Sequence, residues 1–237
     1  MIALYHTIFL KPTFNALVAL YNLVGDVGVA IILLTLAVRL IILPVTLKSL
    51  KSQKALQELQ PKLNALKEKH KGDKPGLAKA TMELYKQEKV NPASSCLPLL
   101  IQLPIFIALY QAMQVVLKND GFDFLYGFVS KPEQIKVIAF GFLDLAKASI
   151  PIAVLAGASQ FWQAKMLSFQ KPAIKTEGSK DEAMLGMMNK QMLYVMPVFT
   201  VFIGASLPGG VILYWLVTNL LTIVQQYVFL RPRARHP

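Results

Sequence analysis

A chain of 237 residues that is 54% hydrophobic, with mean hydropathy +0.47, does not read as a soluble domain, because several apolar runs reach the length of a bilayer span. Its formal charge of +12 is read by location along the chain, not as a nucleic-acid footprint. One cysteine, Cys96, excludes an intrachain disulfide.

The opening residues, MIALYHTIFLKPTF, have no basic leader and no small-residue cleavage site, so they do not read as a cleaved signal. Pro12 suits the first turn of a helix. From Phe14 to Leu23, large apolar residues interleave with Asn15 and Asn22, which fits a helix lying in the membrane interface over residues 1–25. A spanning helix is the competing reading, weakened by Lys11–Pro12 in its middle.

Residues 27–47, VGVAIILLTLAVRLIILPVTL, form the first expected span. About 20 residues rising ~1.5 Å each cross a hydrocarbon core of ~30 Å. Arg39 stands roughly 18 Å inside this run on that rise. An arginine there costs on the order of 3 kcal/mol on insertion scales. No carboxylate lies inside the other apolar stretches. Three readings stay open: snorkelling to the headgroups, a buried contact to backbone carbonyls, or a water-filled cavity that takes an anionic visitor. Pro44 predicts a kink just past Arg39.

Residues 48–93 turn strongly polar. Leu56, Leu59, Leu63 and Leu66 repeat at 3-4-3 spacing, a narrow helical seam. GDKPG, Gly72 to Gly76, predicts a turn. A second amphipathic helix with Leu77, Met82, Leu84 and Tyr85 follows, and together the two arms make an antiparallel hairpin in water. Pro61 is expected to bend or restart the first arm. Further spans are expected at 96–117, 150–167, 191–207 and 211–230. Loops at 118–147 and 168–190 and a tail at 231–237 lie between or beyond them. PGG, Pro208–Gly210, predicts a tight turn that makes the last two spans antiparallel neighbours. A methionine cluster, Met184, Met187, Met188, Met192 and Met196, offers an adaptable apolar surface or simple core filling.

Loop charge orients the chain. Segments 48–93, 165–190 and the tail hold 19 basic against 8 acidic residues. The other side holds Lys11, Lys118, Lys131, Lys136 and Lys147 against five acids. The positive-inside rule makes the hairpin and the tail cytoplasmic and the N-terminus external.

No HExxH, GxSxG, CxxC or Walker pattern occurs, and His6, His70 and His236 are too scattered to meet. No enzyme activity, metal, cofactor or nucleotide use is expected. Polar residues inside the spans are more telling: Thr35, Gln102, Gln111, Gln114, Ser159, Gln160, Gln163, Asn219, Thr222, Gln225 and Gln226. Several fall in the cytoplasmic halves. Singly, each is helix–helix packing glue; with an unpaired Arg39, they favour a wet groove open to the cytoplasm.

The run VNPASSCLPLLIQLPIFIALYQAM (Val90–Met113) resembles the signature of the YidC/Oxa/Alb membrane insertases. VRLIILPVTLKSLKSQK looks like that family's arginine-bearing helix leading into its hairpin. QMLYVMPVF and LPGGVILYWLVTNL look like its last two spans. The resemblance covers essentially the whole chain. It implies an all-α polytopic membrane protein near the family's five-span core, with a cytoplasmic helical hairpin and an N-terminal interfacial helix. No stretch resembles the large extracytoplasmic domain of Gram-negative members. The implied groove is built on Arg39 with Gln102 and Trp215, and Thr35, Gln160, Gln163, Asn219 and Tyr214 are expected to share it. The implied docking hairpin carries Leu56, Leu59, Leu63, Leu66 and Tyr85. The implied activity is insertion and folding of nascent membrane proteins in the bacterial plasma membrane without nucleotide hydrolysis. Expected partners are those substrates, membrane lipid, a Sec translocon, the signal recognition particle with its receptor, and the ribosome. The short tail makes direct ribosome docking doubtful, and no nucleic acid is recognised directly. The rival expectation is a small anion transporter or channel using Arg39, against which stands the lack of an inverted repeat.

Overall fold

The computed structural model describes residues 2–91, 97–118, 122–167 and 191–230. Cys96, the 168–190 loop with Met184, Met187 and Met188, and the basic tail lie outside the described residues.

A helical lead, Ile2–Tyr5 and then π-wound His6–Leu10, runs into α1 (Lys11–Val24), with Pro12 in its first turn as its missing N–H favours. Gly25, at φ +72°, ends α1 with its N–H on the Tyr21 carbonyl at 2.7 Å. Asp26 then opens α2 (Val27–Glu58). Its carboxylate accepts from the amides of Gly28 (2.8 Å) and Val29 (3.0 Å), two donors the helix itself leaves unpaired.

α2 has 32 residues, roughly 48 Å at ~1.5 Å per residue, so it outruns a hydrocarbon core of ~30 Å. Pro44 lies inside it without ending it. The first apolar run and the first part of the polar hairpin are therefore one continuous helix. Pro61 restarts the chain, sitting in the first turn of α3 (Gln60–Lys69). The reversal falls at His70–Asp73, earlier than the expected Gly72–Gly76. Asp73 caps the Gly76 amide at 3.0 Å, and Pro75 fits the first turn of α4 (Lys74–Gln87), so Lys74, Pro75 and Gly76 are already helix. The two arms are antiparallel, joined near their open end by a Lys62–Glu88 ion pair.

α5 (Leu97–Lys118) is followed by a 3-10 turn, Phe122–Phe124, and a two-stranded ribbon, β1 (Ile138–Ala139) and β2 (Leu143–Asp144), paired Ile138↔Asp144 and Ala139↔Leu143. This ribbon lies in what reads from sequence as a plain loop. α6 (Ile150–Leu167), a π-wound stretch Gln191–Val195, α7 (Met196–Gly204) and α8 (Gly209–Leu230) complete the chain. Gly209 and Gly210 open α8 instead of forming a turn. Their amides donate to the carbonyls of Lys147 (2.9 Å) and Leu145 (3.1 Å). A Cβ on Gly210 would stand 2.7 Å from the Met113 methyl and 3.1 Å from Ile31, so a larger residue there would push the Met113 side chain aside.

α8 packs against α6, α2 and α5, α6 against α7, and α2 against α1. The core gathers Phe14, Leu17, Ile31, Leu109, Met113, Val211 and Ile212. α6 and α7 meet through small residues: a Cβ on Gly157 would lie 2.4 Å from Val201 and 2.9 Å from the Pro197 carbonyl. The long loop between α5 and α6 is laced to α1. Asn15 donates to the Phe124 carbonyl (2.8 Å) and accepts from the Tyr126 amide (2.6 Å), while Asn22 donates to the Ser130 carbonyl (2.7 Å).

Among the described residues, four stretches are long and apolar enough to cross a membrane: His6–Val24, Val27–Glu58, Leu100–Leu117 and Gly209–Phe229. Gln191–Gly204 is apolar but shorter. Length and composition therefore do not separate the interfacial from the spanning reading of the first helix. The fold is an all-α membrane protein with one small ribbon.

Candidate functional site around Arg39

Two contacts set the register of α2 on α8. Ile31 meets Gly210, and Arg39 reaches Thr218 and Thr222. Residue numbers rise together along both helices, so they run parallel. Arg39 is 8% exposed. Its Nη2 donates to the Thr218 carbonyl at 3.0 Å and to the Thr222 hydroxyl at 2.7 Å, and that hydroxyl donates to the same carbonyl at 2.8 Å. Nε has no hydrogen-bond partner among the described residues. No ion pair involves Arg39 among them either. The backbone carbonyl of Thr218 is thus one of the groups that hold this arginine.

Thr35 lies one turn before Arg39, buried, with its hydroxyl turned back to the Ile31 carbonyl at 2.6 Å. On α8, Tyr214 lies one turn before Thr218 and is buried. It accepts a hydrogen bond from Gln102 of α5. Trp215 is half-buried, with Phe106 of α5 set edge-on at 5.2 Å. Arg39, Thr35, Gln102, Tyr214 and Trp215 thus belong to the α2–α5–α8 side.

Asn219 and Gln160 are placed differently. Asn219 donates to the Ala156 carbonyl and to the Ser159 hydroxyl, both at 3.1 Å, and ties α8 to α6. Gln160 accepts from the Thr200 hydroxyl and ties α6 to α7. Both make interhelical packing bonds. Gln163, half-buried, follows one turn after Gln160. Towards the hairpin end, Thr46 and Ser49 of α2 are buried, and Gln226 of α8 is fully buried with both amide atoms lacking partners among the described residues. A buried, unsatisfied amide is costly unless water or another polar group reaches it.

In the hairpin, Leu56, Leu59 and Leu63 are buried, and Leu66 and Tyr85 half-buried. The seam faces inward and holds the arms together. Burial pushes the Tyr85 phenol above its ordinary pKa. Met82 is a large apolar residue of the hairpin that stands exposed, at 54%.

Thr218 and Thr222 are the partners that sequence reasoning did not assign to Arg39. Their spacing of four puts both on one helix face, but threonine is common in apolar helices, so spacing alone does not select them. Chemically, the site is a fixed cation held by neutral groups. No group of three His, Cys, Asp or Glu residues that could hold a metal occurs among the described residues.

A family model described as "60Kd inner membrane protein" matches residues 19–235. The chain is 39% identical over 225 residues to the membrane protein insertase YidC of Pelobacter propionicus, covering 94% of this chain and 38% of that one. It is 35% identical over 211 residues to the membrane protein insertase YidC of Fusobacterium nucleatum, covering 89% of each. It therefore spans little more than a third of the first relative and most of the second. A solved structure described as an active YidC insertase with its first transmembrane domain resolved matches at a TM-score of 0.61 and 25% identity, over 96% of this chain and 47% of that one. On these matches, the chain belongs to the 60Kd inner membrane protein family.

Proposed function

We propose that this chain is a membrane-protein insertase that draws a polar tail of its substrate partway into the bilayer without hydrolysing nucleotide. The observation that carries the reading is Arg39: a guanidinium set roughly 18 Å along an apolar helix and held by a carbonyl and a hydroxyl. Neutral partners leave its charge uncompensated, and a charge in low-dielectric surroundings attracts a carboxylate far more strongly than in water. Relatives named membrane protein insertases support the same reading.

In this mechanism, an acidic or carbonyl-rich tail enters from the cytoplasmic side and meets Arg39. Thr35, Tyr214 and Trp215, a turn beyond Arg39, close the inner end of that path together with Gln102, and Gln160, Gln163 and Asn219 border it from α6 and α8. The buried amide of Gln226 supports water on the path between the hairpin end and Arg39. A polar path to mid-depth shortens the apolar distance the tail must cross. A tail carboxylate then moves outward down the membrane potential, worth about 2.3 kcal/mol per charge per 100 mV. The substrate's apolar segment partitions sideways into lipid.

The topology in this proposal has five spans, an external N-terminus and a cytoplasmic hairpin and tail in the bacterial plasma membrane. The hairpin receives nascent substrates, with the Sec translocon, the signal recognition particle and its receptor, and the ribosome as the machinery that delivers them. The test reconstitutes wild type, Arg39→Ala and Arg39→Lys in liposomes with a single-span substrate bearing an acidic N-terminal tail, and scores protection of the tail from protease. Loss in Ala with retention in Lys is expected. Full protection by Ala removes charge attraction from the mechanism.

A further inference from the structure

The 138–144 ribbon carries more exposed apolar surface than a water-facing loop needs. Phe142 is 81% exposed, Ile138 54% and Phe140 40%, and Leu23 at the end of α1 is 79% exposed. Its depth is fixed by contacts to α2. The Phe140 amide donates to the Asp26 carboxylate at 2.6 Å, the same carboxylate that caps α2. The Phe140 ring lies alongside Gly28, where a Cβ would stand 2.8 Å from its Cζ and 2.6 Å from the Ala139 Cβ. Gly28 is the second residue of a helix whose run over 27–47 is apolar apart from Thr35, Arg39 and Thr46. With 27–47 as the spanning run, a ring beside that first turn stands level with the boundary between headgroups and acyl chains.

The turn that carries the rings is built against backbone preference. Phe140 has φ +56° and Gly141 φ +80°, and the Phe142 amide closes the turn on the Ala139 carbonyl at 3.2 Å. Two left-handed residues in succession call for Asn–Gly or Gly–Gly. A bulky residue in the first place is an outlier that costs free energy. A polar residue would relieve that cost, so the aromatic ring has a use the local backbone does not supply. Its neighbour Phe142 lies 6.4 Å away, ring centre to ring centre. Further along α2, Leu36, Leu40 and Ile41 are exposed as well.

We infer that the 138–144 ribbon is a membrane wedge: Phe140 and Phe142 enter the leaflet beside the first turn of α2 and hold that helix at a fixed depth. The occupant is the lipid interface. Aromatic rings favour that layer, where an apolar body meets lipid and the backbone meets water. By fixing α2, the wedge also fixes the depth of Arg39, twelve residues further on.

The test uses the full chain in nanodiscs, with Cys96→Ser as background and a nitroxide on Phe142→Cys. Collision with oxygen, which concentrates in lipid, is compared with collision with a water-soluble nickel chelate. Ile41→Cys on the lipid face and Glu133→Cys on the exposed loop are the references. Position 142 is expected to follow 41, with oxygen in excess. If it follows 133, the rings face water and the wedge is wrong. If neither reagent reaches it, protein covers the ribbon and the wedge is equally wrong. Phe140→Asn supplies a second arm, since asparagine suits the left-handed turn. In that variant, the melting temperature in detergent is expected to hold or rise, while the oxygen excess at 142 falls. An unchanged excess would mean that the Phe140 ring takes no part, which also overturns the inference.

Discussion

At the scale of single residues, Arg39 depends on Thr222 in a way that can be measured. Thr222→Val keeps the shape and removes one of the two acceptors of Nη2. The carbonyl of Thr218 remains, so the side chain stays tethered but is less well aimed. A hydrogen bond to a charged group contributes about 1.5–3 kcal/mol, with ~1.4 kcal/mol per factor of ten, so a loss of about tenfold in insertion rate is expected. Thr222→Ser restores the hydroxyl and should recover most of the rate. A Val variant as fast as wild type would show that the hydroxyl does not position the guanidinium. Arg39 itself was legible in the sequence because a charge interrupts an apolar run. Thr222 was not legible as its partner, since a threonine in an apolar helix usually bonds back to its own helix, as Thr35 does. Asn219 and Gln160 read as groove residues because polar groups in spans draw attention. In the structure both also make hydrogen bonds between neighbouring helices.

At the scale of elements, Asp26 joins two pieces with one carboxylate: the start of α2 and the ribbon. Asp26→Ala removes a helix cap and the Phe140 bond together. Caps alone contribute about 1 kcal/mol, so a loss of about 1–3 kcal/mol is expected in chemical denaturation in detergent, with Asn retaining much of it. Gly157→Val tests the α6–α7 joint. Overpacking of this kind costs about 1–3 kcal/mol, and the expected readout is an earlier thermal transition with Arg39-dependent chemistry affected only through the loss of fold. The ribbon's foot also responds to pH. The hydrogen bond from Lys147 holds the Asp144 carboxyl below its ordinary value. A depressed folded pKa contributes stability above the unfolded value of about 4, which is lost as pH falls through the folded value. Protection of the Ala146 amide, which donates to Asp144 at 3.0 Å, measured against its intrinsic exchange rate at the same pH, should therefore fall only below about pH 4, and at higher pH in Lys147→Ala. The long helices were legible from apolar runs, and the restart at Pro61 from the proline. The ribbon was not, because Phe–Gly is a poor turn signal. The unbroken α2 was not either, because a proline in a long helix bends it as often as it ends it.

At the scale of the whole molecule, charge asymmetry predicts which end faces which compartment. With Cys96→Ser as background, Lys136→Cys should react with an impermeant maleimide on intact spheroplasts, and Lys86→Cys only after permeabilisation. The reverse pattern would invert the proposed topology. The matched solved chain is about twice as long as this one, yet the likeness covers 96% of the residues here, so the helices around Arg39 form a unit shared between them. In the proposed function, that unit holds a polar path in a membrane that stores an ion gradient. The neutral grip on Arg39 bears on this. A carboxylate partner would cancel the charge and leave a polar passage indifferent to sign. Held instead by a carbonyl and a hydroxyl, the guanidinium keeps a full positive potential at its depth, which repels hydronium, sodium and potassium, as fixed cations do in selective pores. The residue that attracts an acidic tail would thus also keep the membrane tight while the path stands open.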